Sequence, residues 1–421
     1  MSTMEKKVIF LADCQSFYAS VEKAAYPQYA NKPLAVAGDS KRRSGIVLAA
    51  CPIAKSFGVS TAESLREAFA KCPQLVAIQP RMQEYVNISL QITSILESYT
   101  NLVEPFSIDE QFLDVTASLH FFESSRDMAL HIQKRILIQT GIYVRIGIGE
   151  NKVLAKMACD NFAKKNADGI FELTKNNITE YLWPFTPDKM FGVGSKTLYH
   201  LHQIGLKTIG DVAKTSVADL KRKLQKYHGK KCDILAQVLW ATANGIDYSP
   251  VTPDAFSLQK GIGRQTTLPI DYYEAKDIEV VLLELSSLIC QRSRYKGYMG
   301  TVVHVGIQGA DFKNPTGFHR QKKLRQPSCL TSEVFETAKM LFHQYWNQLP
   351  VRKIFVSLSQ FQTDDCLQLS FFENRERQLS LEKSMDSIKQ KFGETSIFFA
   401  SSLTRSGQAK FLAQKIGGHI K

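Results

Sequence analysis

A chain of 421 residues, 44% hydrophobic and 22% charged, has material for more than one core and lacks the bias of a disordered or fibrous protein. Lys and Arg number 53 against 40 Asp and Glu, and a net charge of +13 favours a polyanionic partner wherever the cations cluster. No segment has the apolar length of a membrane span, Met1 to Lys7 leads into a strand rather than a signal region, and eight scattered cysteines without a Cys-x-x-Cys pair argue against zinc or disulfides, so a reduced, cytoplasmic setting is expected.

The run Val8-Ile9-Phe10-Leu11-Ala12-Asp13 reads as a buried strand ending in a carboxylate, with a helix starting over 16–24. Two short strands, 32–38 and 45–50, are punctuated by Gly and Pro, and 81–99 has helical spacing through Tyr85, Ile88, Ile92, Ile95 and Leu96. The next stretch, 106–115, contains Asp109-Glu110. Neighbours on an ideal strand face opposite ways, so these two share a site only if the backbone bends, and Pro105 with Ser107 makes such a turn plausible. A helix at 125–139, a strand at 143–149 and a helix 152–162 capped by Asn151 follow. This alternation predicts an α/β core of the split βαβ kind.

Residues 178–247 read as mostly helical, with Phe191-Gly192-Val193-Gly194-Ser195-Lys196 forming a turn between helices. Pro250 and Pro253 mark a linker. A second small α/β domain follows, with strands at 258–267, 301–307 and 354–358 and helices at 275–292 and 331–347. Beyond 380 the Ser- and Lys-rich composition predicts a loosely ordered tail with some helix.

An isolated Asp-Glu pair is most often an exposed strand end. Asp13 changes that balance, because three carboxylates converging at strand ends could hold two divalent cations, the arrangement used for in-line phosphoryl transfer. Together, Val8–Glu22 and Phe106–Val115 resemble the Y-family of translesion DNA polymerases, most closely its bacterial UmuC-like branch, and the resemblance runs from about Val8 to about Phe372. It implies a polymerase right hand: palm 1–13 and 82–172, fingers 14–81, thumb 173–247 with a helix-hairpin-helix, linker 248–257, little finger 258–364 and tail 365–421. The implied activity is template-directed addition of dNTPs to a primer 3′-hydroxyl, with low fidelity and no proofreading.

The resemblance also implies residue roles. Asp13 and Asp109 would bridge two Mg2+ ions, with Glu110 on the catalytic one and the Cys14 backbone carbonyl assisting. Phe17 and Tyr18 would lie at the nucleotide, Tyr18 as the steric gate, although packing between strand and helix also accounts for Phe17. Lys55 and Lys164 would meet the triphosphate, with Lys165 equally readable as a solvated helix end. Pro52 stands where many relatives have Tyr, and Ser16 where many have Tyr or Ala. An extra residue near Phe162 blurs the register of the helix that ends in Lys164.

For DNA, Gly192, Gly194 and Lys196 would offer backbone N–H groups and a cation to a phosphate. Basic residues cluster at Lys221–Lys231, at Arg292, Arg294 and Lys296, and at Lys313, Arg320, Lys322, Lys323 and Arg325; the resemblance implies that Arg264 would add a phosphate contact. Gln368, Leu369, Phe371 and Phe372 resemble the bacterial sliding-clamp motif, against an edge-strand reading of the same alternation. The expected partners are primer-template DNA, dNTPs and the clamp, on a monomeric core without a membrane. Two rivals stand beside this: a catalytically inactive DNA-binding scaffold on the same fold, and a palm-fold nucleotidyl cyclase, which the basic clusters disfavour.

Overall fold

A computed structural model describes residues 7–39, 45–229, 232–254, 259–311, 313–364 and 374–420. The chain divides into two units, one of residues 1–36, 47–78 and 83–255, the other of residues 37–46, 79–82 and 256–421. Lys230, Lys231 and the whole stretch Gln368 to Phe372 lie outside the described residues.

In the first unit the strand Ile9–Cys14 is buried at every position. It sits at the centre of a five-stranded sheet, antiparallel to Glu110–Asp114 on one side and to Val144–Gly149 on the other. The helix Lys152–Ala158 lies directly on Val144–Gly149. A Cβ at Gly147 would stand 2.1 Å from the Ala155 carbonyl oxygen, so only glycine lets the helix come this close. Asn151 caps that helix, as its sequence position suggests: its side chain accepts from Leu154 N–H at 2.9 Å and donates to the Gly245 carbonyl at 2.9 Å. A smaller sheet of Val47–Ala50, Leu34–Ala37 and Val76–Ile78 belongs to the early chain. The helices Ser195–Gln203, Ile209–Lys214, Val217–His228 and Cys232–Ala243 share a core that includes Leu201, Ile209, Val212, Leu224 and Leu239.

The second unit is built as strand, helix, strand, strand, helix, strand. Its antiparallel sheet has the order 317–328, 298–309, 351–363, 261–272. The helices Ala275–Tyr295 and Thr331–Tyr345 cover one face through a core that includes Leu282, Leu285, Val303, Val305, Phe342 and Val356. The strand Gly317–Ser328 is not visible in the apolar pattern. It is an edge strand with mostly exposed residues, the cations Arg320, Lys322, Lys323 and Arg325 among them, a usual way for an open edge to avoid pairing with another chain.

The tail departs most from expectation. Arg375–Phe392 is a helix, and it is anchored by charged groups rather than by an apolar stripe. Arg294, from the helix Ala275–Tyr295, pairs with Asp386 at 2.6 Å and with Glu382, and donates to the Cys329 carbonyl at 2.7 Å. Arg375, 2% exposed, pairs with Glu333 at 2.8 Å. Further on, Gln408 and Ala409 N–H groups donate to the buried Glu284 carboxylate at 2.8 and 3.1 Å, and the Tyr272 hydroxyl donates to the Ser406 carbonyl at 3.0 Å. A Ser- and Lys-rich composition does not reveal such anchors, because each depends on a partner far away in sequence.

Arg294 must therefore be corrected as a DNA contact. Its side chain is 4% exposed and already engaged by two carboxylates and a carbonyl. Replacing it with Met leaves Glu382 and Asp386 without their cation, and should cost about 3–5 kcal/mol of stability. Urea unfolding of Arg294→Met measures this; a loss below about 1 kcal/mol would mean that the helix Arg375–Phe392 is not held by these charges.

Candidate active site

The antiparallel register sets Asp13 directly opposite Glu110. Just upstream the chain turns sharply: the N–H groups of Phe106 and Ser107 both donate to the Glu110 carbonyl, at 2.9 and 3.0 Å. This is the bend that Asp109 and Glu110 need in order to face one pocket. The Asp109 carbonyl accepts from Cys14 N–H at 2.9 Å, and its carboxylate accepts from Ser107 Oγ at 2.6 Å. Cys14 ends the central strand with its thiol buried, and burial pushes that thiol well up, so sulfur supplies no thiolate here. A cavity of about 420 Å³ is lined by Asp13, Phe17, Tyr18, Lys55, Asp109, Glu110 and Lys164, among others.

The tightest acidic cluster is not the expected trio. Carboxylate oxygens of Asp13, Glu110 and Asp160 lie within 4.8 Å of one another, while Asp109 lines the same cavity with its carboxylate on Ser107. Two lysines balance the cluster. Lys164 Nζ is 2.7 Å from Asp13 and 2.7 Å from Asp160, and Lys156 Nζ is 2.6 Å from Glu110 and 2.9 Å from Asp160. Burial pushes the Asp13 carboxyl up to about 7; Lys164 pulls it down only in part, and Glu110 pushes it further up. An all-oxygen donor set held together by ammonium groups is one that suits hard divalent cations, with the two lysines standing in for their charge.

Around the cavity, Tyr18 stacks on Tyr85 with ring centres 4.5 Å apart and planes 18° apart. Tyr85 is fully buried, and its hydroxyl donates to Glu22 at 2.7 Å, so the Tyr18 ring rests on a fixed platform. Phe17 is 2% exposed, packs against Tyr18 and Tyr85, and also borders the cavity. Ser16 takes a left-handed conformation at φ 55°, and its hydroxyl accepts from Lys55 Nζ at 2.9 Å. Pro52 occupies the first turn of the helix Pro52–Ser56, a position that suits a residue without an N–H. Lys164 points at the carboxylates, whereas Lys165 lies 5.8 Å from the centre of the Phe185 ring.

Gly192, at φ 82°, precedes the helix Ser195–Gln203, which Gly194 caps without a side-chain bond, and Lys196 is exposed in its first turn. In the second unit, strand parity separates the remaining cations. Arg264 pairs with Val356 in register and so faces the helices. It is 8% exposed with Nε unpartnered, and burial and then Arg292 lower its pKa; it is not on the open sheet face. Arg320 and Lys322 pair with Val305 and Val303 and also lie on the helix side, against the Tyr345 ring and the Met340 sulfur. Lys323 pairs with Val302 and faces the other way, and Arg325 and Arg292 are exposed.

Sequence reasoning missed Asp160, Lys156 and Tyr85. A signal for Asp160 was available, since it stands four residues from Lys156 and four from Lys164, the spacing at which helix side chains meet. Tyr85 offered only a core-like helical period.

Residues 12–160 match the model of the impB/mucB/samB family, and residues 259–371 match that family's C-terminal domain. The chain is 52% identical to DNA polymerase IV 2 of Bacillus subtilis over 99% of its length and 100% of the relative's. It is 49% identical to DNA polymerase IV 2 of Halalkalibacterium halodurans, again over 99% of this chain and 100% of the relative, and 40% identical to DNA polymerase IV of Pelotomaculum thermopropionicum over 98% of each. A solved Y-family DNA polymerase chimera superposes with a TM-score of 0.70 at 25% identity, covering 85% of this chain and 99% of that one. The chain belongs to the Y-family of translesion DNA polymerases. Y-family polymerases are metal-dependent, and acidic groups that include Asp13, Glu110 and Asp160 are gathered at this site. Among the described residues no helix is long and apolar enough to cross a membrane.

Proposed function

We infer that the cavity lined by Tyr18 is the nucleotidyl-transfer site of a DNA-directed DNA polymerase that carries out translesion synthesis. One observation carries the reading: Asp13 opposite Glu110, with Asp109 at the adjoining bend, in a cavity shared with an aromatic ring and two lysines. Asp13, Asp109 and Glu110, with the Cys14 carbonyl, are the proposed holders of two Mg2+ ions. When bound, such ions polarise phosphoryl oxygens and ease deprotonation of an attacking hydroxyl.

The chain's own groups do the rest. Lys55 and Lys164 are suited to the triphosphate as point charges. The Tyr18 ring, fixed on Tyr85, would lie under the incoming sugar and exclude a 2′-hydroxyl. The domains are proposed to follow the polymerase hand: palm 1–13 and 82–172, fingers 14–81, thumb 173–247, linker 248–257, little finger 258–364 and tail 365–421. Fingers of this size leave little material to test base-pair shape, which fits tolerance of damaged templates.

For the duplex, Gly192, Gly194 and Lys196 are the proposed phosphate contacts of the thumb. A Cβ at Gly194 would meet nothing within 4 Å, so the helix N-terminus it caps is open to close approach by a phosphate. In the little finger, Arg292, Lys323 and Arg325 are the cations best disposed toward DNA. A sliding clamp, engaged by Gln368, Leu369, Phe371 and Phe372, would raise the local concentration of the enzyme at the primer end. A monomeric enzyme in the cytoplasm fits these partners. An inactive scaffold would have no use for a complete acidic site beside a nucleotide-sized cavity.

Asp109→Asn should lower single-nucleotide incorporation by roughly a thousandfold or more while primer-template affinity changes less than about twofold, since the lost charge faces cations rather than DNA. Primer extension and binding titration measure the two, and near-normal extension would remove Asp109 from the metal site. Tyr18→Ala should raise ribonucleotide use at least about tenfold relative to deoxynucleotide use, because only the 2′-hydroxyl meets the ring. An unchanged ribo-to-deoxy ratio would reduce Tyr18 to a packing residue.

A further inference from the structure

The helix that carries both site lysines changes character midway. It is α-helical over Lys152–Ala158 and widens into a π turn over Cys159–Ala163. At its end the Lys164 N–H donates to the Cys159 carbonyl, five residues back, at 3.1 Å. Single π turns inside helices are uncommon and gather at functional sites.

The consequence is a matter of angle. Lys156 and Lys164 are eight residues apart. In an unbroken α-helix eight steps overshoot two full turns by about 80°. One ammonium would then point at the carboxylates while the other swung aside. A π turn spends an additional residue on the same rotation, and the two side chains return to one face. Each lysine is an i,i+4 neighbour of Asp160, at 2.9 and 2.7 Å, which any helix allows; what needs the shared face is that Lys156 also reaches Glu110 at 2.6 Å while Lys164 reaches Asp13 at 2.7 Å.

One buried side chain ties this turn to its surroundings. Asn161 is 4% exposed, and its amide nitrogen donates to the Met157 carbonyl, four residues back, at 3.1 Å and to the Lys189 carbonyl at 3.0 Å. An amide nitrogen has two hydrogens, and both are used. Next to it, Phe162 stacks on Phe171 and Phe185, at 4.3 and 5.6 Å between ring centres.

We propose that the π turn, locked by Asn161, is the device that aims Lys164 at Asp13, which makes Asn161 a positioning residue for the triphosphate site. The geometric part stands on the structure alone; the consequence for nucleotide binding rests on Lys164 meeting the triphosphate, as proposed above.

The test separates the two. In EDTA, acylation of Lys164 by an amine-reactive ester, followed by peptide mass mapping, is slow in the wild type because two carboxylates hold the ammonium. Asn161→Ala should raise that rate about tenfold, as the helix relaxes to α and Lys164 turns away. Deleting Asn161 removes the lock and the additional residue together. It brings Lys164 to seven residues after Lys156, about 20° away on an α-helix, so its reaction should stay slow. Asn161→Ser keeps a donor for the carbonyl four residues back and should react at an intermediate rate, which serves if the alanine variant does not fold.

In primer extension, Asn161→Ala should raise the dNTP KM about tenfold with kcat within about threefold, and adding it to Lys164→Ala should change KM no further. Unchanged Lys164 reactivity in Asn161→Ala, or equal reactivity in the alanine and deletion variants, would overturn the proposal. If Lys164→Ala leaves KM unchanged while the reactivity pattern holds, the positioning stands and the triphosphate role of Lys164 falls.

Discussion

Mutual repulsion among carboxylates is the constraint around which the first unit is arranged. Two full charges held 4.8 Å apart oppose each other by on the order of 3 kcal/mol at an effective dielectric near 20, and Asp13, Glu110 and Asp160 make three such pairs. Burial adds to the strain, which is why the Asp13 carboxyl is pushed up to about 7. Lys156 and Lys164 relieve it, and the surrounding structure exists to deliver them: glycine at 147 lets their helix lie on the central strands, Asn151 starts that helix, and the π turn brings both lysines to one face. A site that must be neutralised by lysines when alone is one prepared to accept divalent cations and phosphates instead.

Much of this was legible in the residues. The buried strand ending at Asp13, the bend before Asp109-Glu110, the Asn151 cap and the split βαβ layout each follow from patterns spanning only a few positions. What stayed hidden depends on register or on distant partners. Asp160 looks like an ordinary helix acid until the sheet brings Asp13 and Glu110 beneath it. The additional residue near Phe162 is visible as a disturbance in spacing, but spacing alone does not say whether a helix absorbs it as a π turn or as a loop. Tyr85 fits a core period equally well whether or not Tyr18 stacks on it.

The second unit teaches the same lesson about charge. A cluster of cations in sequence is not a surface in space. Arg294 holds a helix, Arg264, Arg320 and Lys322 lie on the helix side of the sheet, and Lys323 takes the open face because a strand alternates. The edge strand Gly317–Ser328 and the anchored helix Arg375–Phe392 escaped an apolar reading for one reason: both are held by backbone ladders or buried ion pairs rather than by apolar periodicity.

The central claim is that Asp13, Asp109 and Glu110 together hold the metals while Asp160 serves the lysines. Anomalous diffraction from a crystal of the enzyme with primer-template, a non-hydrolysable dNTP and Mn2+ tests it most directly. The account predicts two manganese peaks at coordinating distance from Asp13, with Asp109 turned off Ser107 onto a metal and Lys164 moved to phosphate oxygens. A single peak shared by Asp13, Glu110 and Asp160, with Asp109 still on Ser107, would contradict it.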